Sequence, residues 1–171
     1  MRMIDGLLAE LEQEAETTRR VLERIPQAHL MWKPHPKSMS LGQLALHVAT
    51  VPGMVAELAA LDTIPEPPAF VQPEAATASE LVPSLTESVA KAKRALGGFD
   101  DARMGAIWRL QSGGREIMAM PRVAFVRAIM LNHWYHHRGQ LSVYLRELGV
   151  PVPSIYGPSA DENPFVAAAG R

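Results

Sequence analysis

The chain has 171 residues, of which 47% are hydrophobic and 20% charged, a balance typical of one soluble globular domain over residues 1–171. Its formal net charge of -1 excludes the strongly basic surface expected of a nucleic-acid-binding protein. The sequence contains no cysteine, which excludes disulfides, thiolate metal ligands and a cysteine nucleophile.

The first predicted helix spans residues 4–25, where apolar residues recur every three or four positions and charged residues occupy the other face. Pro26 ends this helix. Glutamates near the start of the segment interrupt the apolar stretch that a signal peptide would need, so we expect a cytoplasmic protein.

A capping-box pattern predicts the start of the second helix, because Ser40 is followed by Gln43 just before an apolar run. Pro52 and Gly53 predict a kink or an interruption within this helix. The stretch 41–61 is the most apolar of the chain, but its polar residues suit a buried helix better than a membrane span. A proline-rich crossover over residues 64–73 follows.

Two more helices complete the prediction. The third spans residues 79–96, with Ser79 as its expected cap. The fourth begins at Pro121 and ends before Gly149. Between them, residues 107–120 form either a β-hairpin with a glycine turn or a loop. Four helices with long connections predict an all-α protein, a four-helix bundle.

Histidines interrupt an apolar stripe on the fourth helix, where His133 and His137 lie one turn apart on the same face. Two imidazoles in this arrangement can share a metal ion, although core histidines bonded to neighbours are the common alternative. His47, near the middle of the second helix, favours the metal site, because packing alone poorly explains three histidines on two helices. His136 points about 100° away from this face. The full stripe is Val123, Val126, Met130, His133, His137, Leu141, Tyr144 and Leu148.

Other polar residues could contribute to the site without binding the metal. Gln43, Gln140 and Tyr144 lie near the histidines along their helices, so they could line a pocket or orient the ligands. It is equally plausible that Gln43 and Gln140 pack in the interface between helices and have no role in the site. Asp161 and Glu162 could act as general bases only if the tail folds back over the pocket, and we expect them at the surface. No catalytic residue is identified.

Three stretches of the chain resemble the DinB superfamily, the DinB/YfiT-like proteins. They are residues 32–47, which end in Gly42-Gln43-Leu44-Ala45-Leu46-His47, residues 132–141, Asn132-His133-Trp134-Tyr135-His136-His137-Arg138-Gly139-Gln140-Leu141, and the tail 152–162. The resemblance implies a bundle of up-down-down-up topology and frequent homodimers. It also implies a zinc or nickel ion bound by the same three histidines, and a thiol-dependent transferase or isomerase that uses a thiol such as bacillithiol or mycothiol.

These observations give one main hypothesis and two alternatives. The main hypothesis is a thiol-dependent S-transferase acting on small electrophiles, because three neutral imidazoles leave metal positions open for a small-molecule substrate. Since the chain has no cysteine, the thiol would be a low-molecular-weight cofactor. The alternatives are a metal-dependent hydrolase and a non-catalytic protein that binds a metal or small molecule. Neither nucleic acid nor membrane is an expected partner.

Overall fold

The computed structural model describes residues 1–69 and 71–168, and four long helices form its framework. The fourth helix runs through residues 122–147 and has three parts, two α-helical and one π-helical. The helices are α1 (Met3–Leu22), α2 (Leu41–Ala60), α3 (Leu81–Leu96), the short α4 (Asp101–Gly105), then α5 (Arg122–Phe125), the π-helix Val126–Asn132 and α6 (His133–Glu147), and finally the short α7 (Pro164–Ala168).

Polar contacts between the helices fix their directions. Helices α2 and α3 are parallel, and so are α1 and the fourth helix. Helices α1 and α3 are antiparallel. The bundle is therefore up-down-down-up, which confirms the predicted fold. The contacts are Arg2–Gly97 and Glu12–Lys93 between α1 and α3, Thr50–Ser88 and Glu57–Lys91 between α2 and α3, and Glu10–Arg127 and Glu14–Arg138 between α1 and the fourth helix.

Helix α2 begins as predicted, since the Ser40 hydroxyl accepts from the Gln43 backbone N–H and the Gln43 side chain accepts from the Ser40 N–H. Of the two predicted outcomes, the interruption is wrong, because α2 continues through Pro52. A proline lacks the N–H that would bond to the carbonyl of Val48, four residues earlier. The indole N–H of Trp134 donates to that carbonyl at 2.7 Å, so the polar group freed by the proline is satisfied from another helix.

The same helix has the length and composition of a membrane-crossing segment, with a mean hydropathy of 1.2 over 18 residues. Of that stretch, 56% is buried inside the bundle. A single such helix is a weak indication of a membrane span, and its burial is the pattern of a core helix in a soluble protein.

A small three-stranded sheet adds to the predicted bundle. Its strands are β1 (Thr63–Ile64), β2 (Ile107–Ser112) and β3 (Arg115–Pro121), in the order β1-β2-β3. Strands β2 and β3 form an antiparallel hairpin, and β1 pairs in parallel with β2. Gly113 and Gly114 connect the hairpin with φ values of 57° and 75°, a backbone region that favours glycine. Of the two readings of residues 107–120, the hairpin is therefore correct.

The cap predicted for α3 is wrong. Ser79 lies within a short 3₁₀ turn, Ala78–Glu80, and Glu80 occupies the cap position without a side-chain hydrogen bond to the helix. The Glu80 carboxylate instead accepts from the backbone N–H of Ala76 at 2.6 Å. The turn and this contact thus lie between the crossover and the start of α3.

The π-helical segment changes which face of the fourth helix is buried. Its seven residues have more residues per turn than an α-helix, so the face presented by α6 is rotated by about one residue position, roughly 100°. The stripe predicted from regular α-helical spacing is therefore only partly the core stripe. His133 and His137 are half-buried beside the core rather than in it. The fully buried side chains of α6 are Trp134, Arg138, Leu141 and Leu145.

Candidate metal centre

Three histidines from two antiparallel helices converge beside the core, His47 from α2 and His133 and His137 from α6. One ring nitrogen of each lies within 4.8 Å of those of the other two. The Nε2 atoms of His47 and His133 are 3.1 Å apart. The sequence predicted this set as metal ligands, and the fold brings all three together.

The donor set fits a divalent transition metal. Two nitrogens bound to one tetrahedral zinc at roughly 2.0–2.1 Å lie about 3.3 Å apart, close to the separation of the His47 and His133 nitrogens. Imidazole nitrogens suit zinc, nickel and copper, and three of them form the protein part of many catalytic zinc sites. This cluster could therefore hold one metal ion.

Burial favours the neutral form of these rings. Desolvation, reinforced by the neighbouring His137 and His133, lowers the pKa of His47 to about 4. Desolvation likewise lowers the pKa of His133 and of His137. Only the unprotonated ring can bind a metal, so the surroundings keep all three histidines in the form that metal binding needs near neutral pH.

Gln140 contacts His137, one of the three candidate ligands, directly. Its side-chain Oε1 lies 2.8 Å from Nδ1 of His137, three residues earlier on α6. When Nδ1–H donates to this oxygen, Nε2 of His137 carries the lone pair and is the nitrogen available to a metal. Gln140 thus lies behind His137, a position that suits the orienting role considered from the sequence.

The other two residues proposed around the site make their hydrogen bonds outside the histidine cluster. Gln43 lines the cavity beside His47, caps α2, and donates from Nε2 to the carbonyl of Gln72 at 3.3 Å. Tyr144 donates to the carbonyl of Met39 at 3.3 Å, and its ring packs edge-on against Trp32. Tyr144 therefore holds the loop before α2 against α6.

The remaining histidines lie outside the cluster. His136 is exposed, and its ring centre is 5.1 Å from that of His137. His29 and His35 are exposed in the segment between α1 and α2. This placement agrees with the 100° offset expected for His136.

The acidic residues of the tail do not approach the histidines. Asp161 pairs with Arg146 and accepts from the Val152 backbone N–H, and Glu162 pairs with Arg20 at 2.5 Å. These contacts attach the tail to α1 and to the end of α6. The surface position expected for both carboxylates is the one they occupy, so neither is placed to serve as a general base.

A cavity of about 170 Å³ adjoins the cluster at His47. The crossover covers one face of α2 here, and none of the described residues that line the cavity is acidic. The sequence did not identify this wall, although its α2 residues recur every three or four positions and share a helix face. The lining residues are Gln43, His47, Thr50, Met54 and Leu58 of α2 together with Pro68, Ala69, Val71, Gln72 and Pro73 of the crossover.

A buried ion pair anchors α6 next to the cluster, and it was also missed from the sequence. Arg138 follows His137 and is 1% exposed, and its guanidinium lies 2.6 Å from the carboxylate of Glu14 on α1. Thr18 and Tyr156 also accept from Arg138. Because both charges are buried, this network holds α6 in one register against α1.

Comparisons with known proteins agree with the fold and with the family resemblance. The DinB family model matches residues 2–164. The uncharacterized protein YrdA of Bacillus subtilis (strain 168) is 25% identical over 168 residues, which cover 93% of this chain and 91% of that protein. The crystal structure of a DinB-like protein from Bacillus cereus ATCC 10987 is 26% identical, with a TM-score of 0.70, and the match covers 91% of this chain and 100% of that chain. YjoA, a DinB-like protein of Bacillus subtilis, is similar in fold, with a TM-score of 0.62 at 19% identity over 84% of this chain and 92% of its own.

Proposed function

This chain belongs to the DinB family, and we propose that it is a metal-dependent S-transferase that joins a low-molecular-weight thiol to a small electrophile. The observation that supports this most directly is the cluster of three histidines, whose half-buried rings are neutral near pH 7, beside a cavity whose described lining has no acidic side chain. Such a site can activate a nucleophile by coordination but offers no carboxylate to remove its proton.

The reaction balances without a redox partner. The thiol loses its proton to solvent, its sulfur forms a bond to the electrophilic carbon, and a leaving group departs with the electron pair of the broken bond. A bound divalent metal would supply the positive charge that lowers the pKa of the thiol. The chain has no cysteine, so the thiol must be a separate molecule, and bacillithiol and mycothiol are the candidates that the family suggests.

The residues of the chain would orient the reactants. Gln140 holds the ring of His137 through Nδ1. Gln43 and Thr50 provide the polar side chains on the α2 wall next to His47, and the Thr50 hydroxyl also donates to the carbonyl of Leu46 at 2.8 Å. The crossover that covers this wall would limit access of water to the bound electrophile.

A metal-dependent hydrolase is the second candidate, and a non-catalytic metal or small-molecule carrier is the third. A hydrolase that attacks with water needs a group to manage the proton of that water. The acidic side chains of the tail are paired elsewhere, which favours transfer over hydrolysis.

Metal content and activity together test the proposal. We expect purified protein without a histidine tag to hold one zinc or nickel per chain, and His47→Ala to lose most of it. His136→Ala is the matched control, because this neighbouring histidine is exposed and lies outside the cluster. Elemental analysis of the three proteins measures both effects. Full occupancy in His47→Ala would mean that His47 is not a ligand.

The activity assay uses metal-loaded protein with bacillithiol, mycothiol, glutathione or coenzyme A and a generic electrophile. We expect conjugation with at least one thiol and its loss in His137→Ala. Thiol-independent ester or amide hydrolysis that disappears in His137→Ala would support the hydrolase instead. Bound metal with neither activity would support the carrier.

A cytoplasmic homodimer completes the proposal. Size-exclusion chromatography with light scattering would measure the mass of the protein in solution. A monomer at the concentrations used in the activity assay would contradict the dimer.

A further inference from the structure

A second cavity adjoins the one beside His47, and its wall is apolar. It has a volume of about 180 Å³ and lies between α2, the sheet and the start of the fourth helix. Both cavities are lined by Leu58 and Pro68, so they meet at these two side chains. The remaining wall includes Ile64, Trp108, Leu110, Met118, Phe125 and Ile129.

From this arrangement we propose that the substrate is an elongated molecule with a reactive group at the histidines and an apolar end, such as a phenyl ring or a short alkyl chain, in the second cavity. This inference rests on the proposed function for the reactive group and on the second cavity for the apolar end. The proposed function specifies only a small electrophile, and this inference specifies its shape and its apolar end.

The described side chains of the wall offer no hydrogen bond to a polar ligand. Among them, Trp108 alone has a polar hydrogen, and that indole N–H already donates to the carbonyl of Leu58 at 3.0 Å. The indole ring stacks on Phe125 with ring centres 3.9 Å apart, and the other described side chains of the wall are aliphatic, aromatic or thioether groups. Water finds no hydrogen-bond partners in such a space, whereas moving an apolar group from water into it is favourable.

Size and spacing set the shape of the ligand. An apolar cavity of about 150 Å³ can bind benzene, so the second cavity is large enough for one phenyl ring. His47 and Leu58 are eleven residues apart on one helix, a rise of about 16 Å. Gln43, His47, Thr50, Met54 and Leu58 lie along a single face of α2, which forms a continuous floor from the histidines to the apolar cavity.

Two methionines make the proposal measurable, because Met54 lines the first cavity and Met118 the second. Metal-loaded protein with ¹³C-labelled methionine methyl groups is titrated with toluene, with acetohydroxamic acid, and with phenylalkyl hydroxamic acids of two to eight methylenes. We expect toluene to shift the Met118 methyl signal saturably. Acetohydroxamic acid should shift only Met54, and the longer compounds should shift both signals.

Affinity provides the second readout. Calorimetry should show at least tenfold tighter binding for the longer phenylalkyl compounds than for acetohydroxamic acid, with a gain of about fourfold for each further methylene buried. Leu110→Trp should fill the second cavity and remove this gain without weakening acetohydroxamic acid. Ile117→Trp is the matched control, because Ile117 lies on the opposite face of the sheet and is 55% exposed.

The outcomes separate this inference from the proposed function. A Met118 signal unaffected by toluene and by every tail length would overturn the inference, as would a gain that survives in Leu110→Trp. If toluene and the tails bind as expected but no thiol is transferred, the apolar subsite stands and the transferase proposal fails. If acetohydroxamic acid does not bind because no metal is held, the toluene titration still decides whether the apolar cavity is a binding site.

Discussion

Replacing Glu14 by alanine tests whether the buried ion pair with Arg138 stabilises the bundle next to the histidines. The two side chains are 9% and 1% exposed, and the charged groups are 2.6 Å apart. Without the carboxylate, the guanidinium stays buried with its charge uncompensated, a change that costs about 3–5 kcal/mol in proteins. Arg138 keeps hydrogen bonds to Thr18 and Tyr156, so we expect the lower end of that range, about 3 kcal/mol.

The matched control is Glu12→Ala on the same helix. Glu12 pairs with Lys93, but these side chains are 52% and 48% exposed, and an ion pair in water contributes at most about 1 kcal/mol. For a chain of this size, about 3 kcal/mol corresponds to a fall in Tm of roughly 6–12 °C. Urea unfolding gives the free energy, and calorimetry gives Tm.

A double variant separates loss of the pair from general damage. Glu14→Leu combined with Arg138→Met replaces two buried charges with apolar side chains, which is often neutral or stabilising. We expect the double variant to recover most of the stability that Glu14→Ala loses. If Glu14→Ala is no less stable than Glu12→Ala, the buried pair contributes nothing and the reasoning is refuted.

Three further predictions concern the metal, pH and helix packing. Bound metal should raise the free energy of unfolding by about 2.7 kcal/mol at a free concentration of 100 Kd, so an unchanged Tm after complete removal with a chelator would contradict a site specific to the folded state. In metal-free protein the pKa of His47 is lowered to about 4, so its neutral ring favours the folded state fully above pH 6.5, and this contribution is lost as pH falls from 6.5 towards 4. After allowance for the partial exposure of His47, this contribution to the free energy of unfolding is about 1–2 kcal/mol. Plotted against pH, the free energies of unfolding of wild type and His47→Gln should differ in slope only over that interval. Gly53→Ala should cost about 1–3 kcal/mol, because the new methyl carbon would lie 2.7 Å from the backbone oxygen of Ser88, whereas Gly98→Ala has nothing within 4 Å and should not strain the fold.

Local signals in the sequence predicted the four long helices and the three histidines that the fold brings together. The Ser40–Gln43 capping box depends only on residues three apart, and it marks the start of α2. The spacing of four between His133 and His137 places both on one face whatever the helix packs against. These features were predictable because they are encoded by neighbours along the chain.

Contacts between distant residues decided the rest. The Trp134 indole satisfies the carbonyl that Pro52 leaves free, and α2 stays uninterrupted where its own sequence predicted a kink or an interruption. The π-helical segment rotates α6, which buries Trp134 and Arg138 and leaves His133 and His137 half-buried beside the core. A sequence pattern assumes a fixed number of residues per turn, and only the packing of the four helices sets where that number changes. For the same reason the apolar cavity, whose walls come from α2, two strands and the fourth helix, exists only in the folded chain.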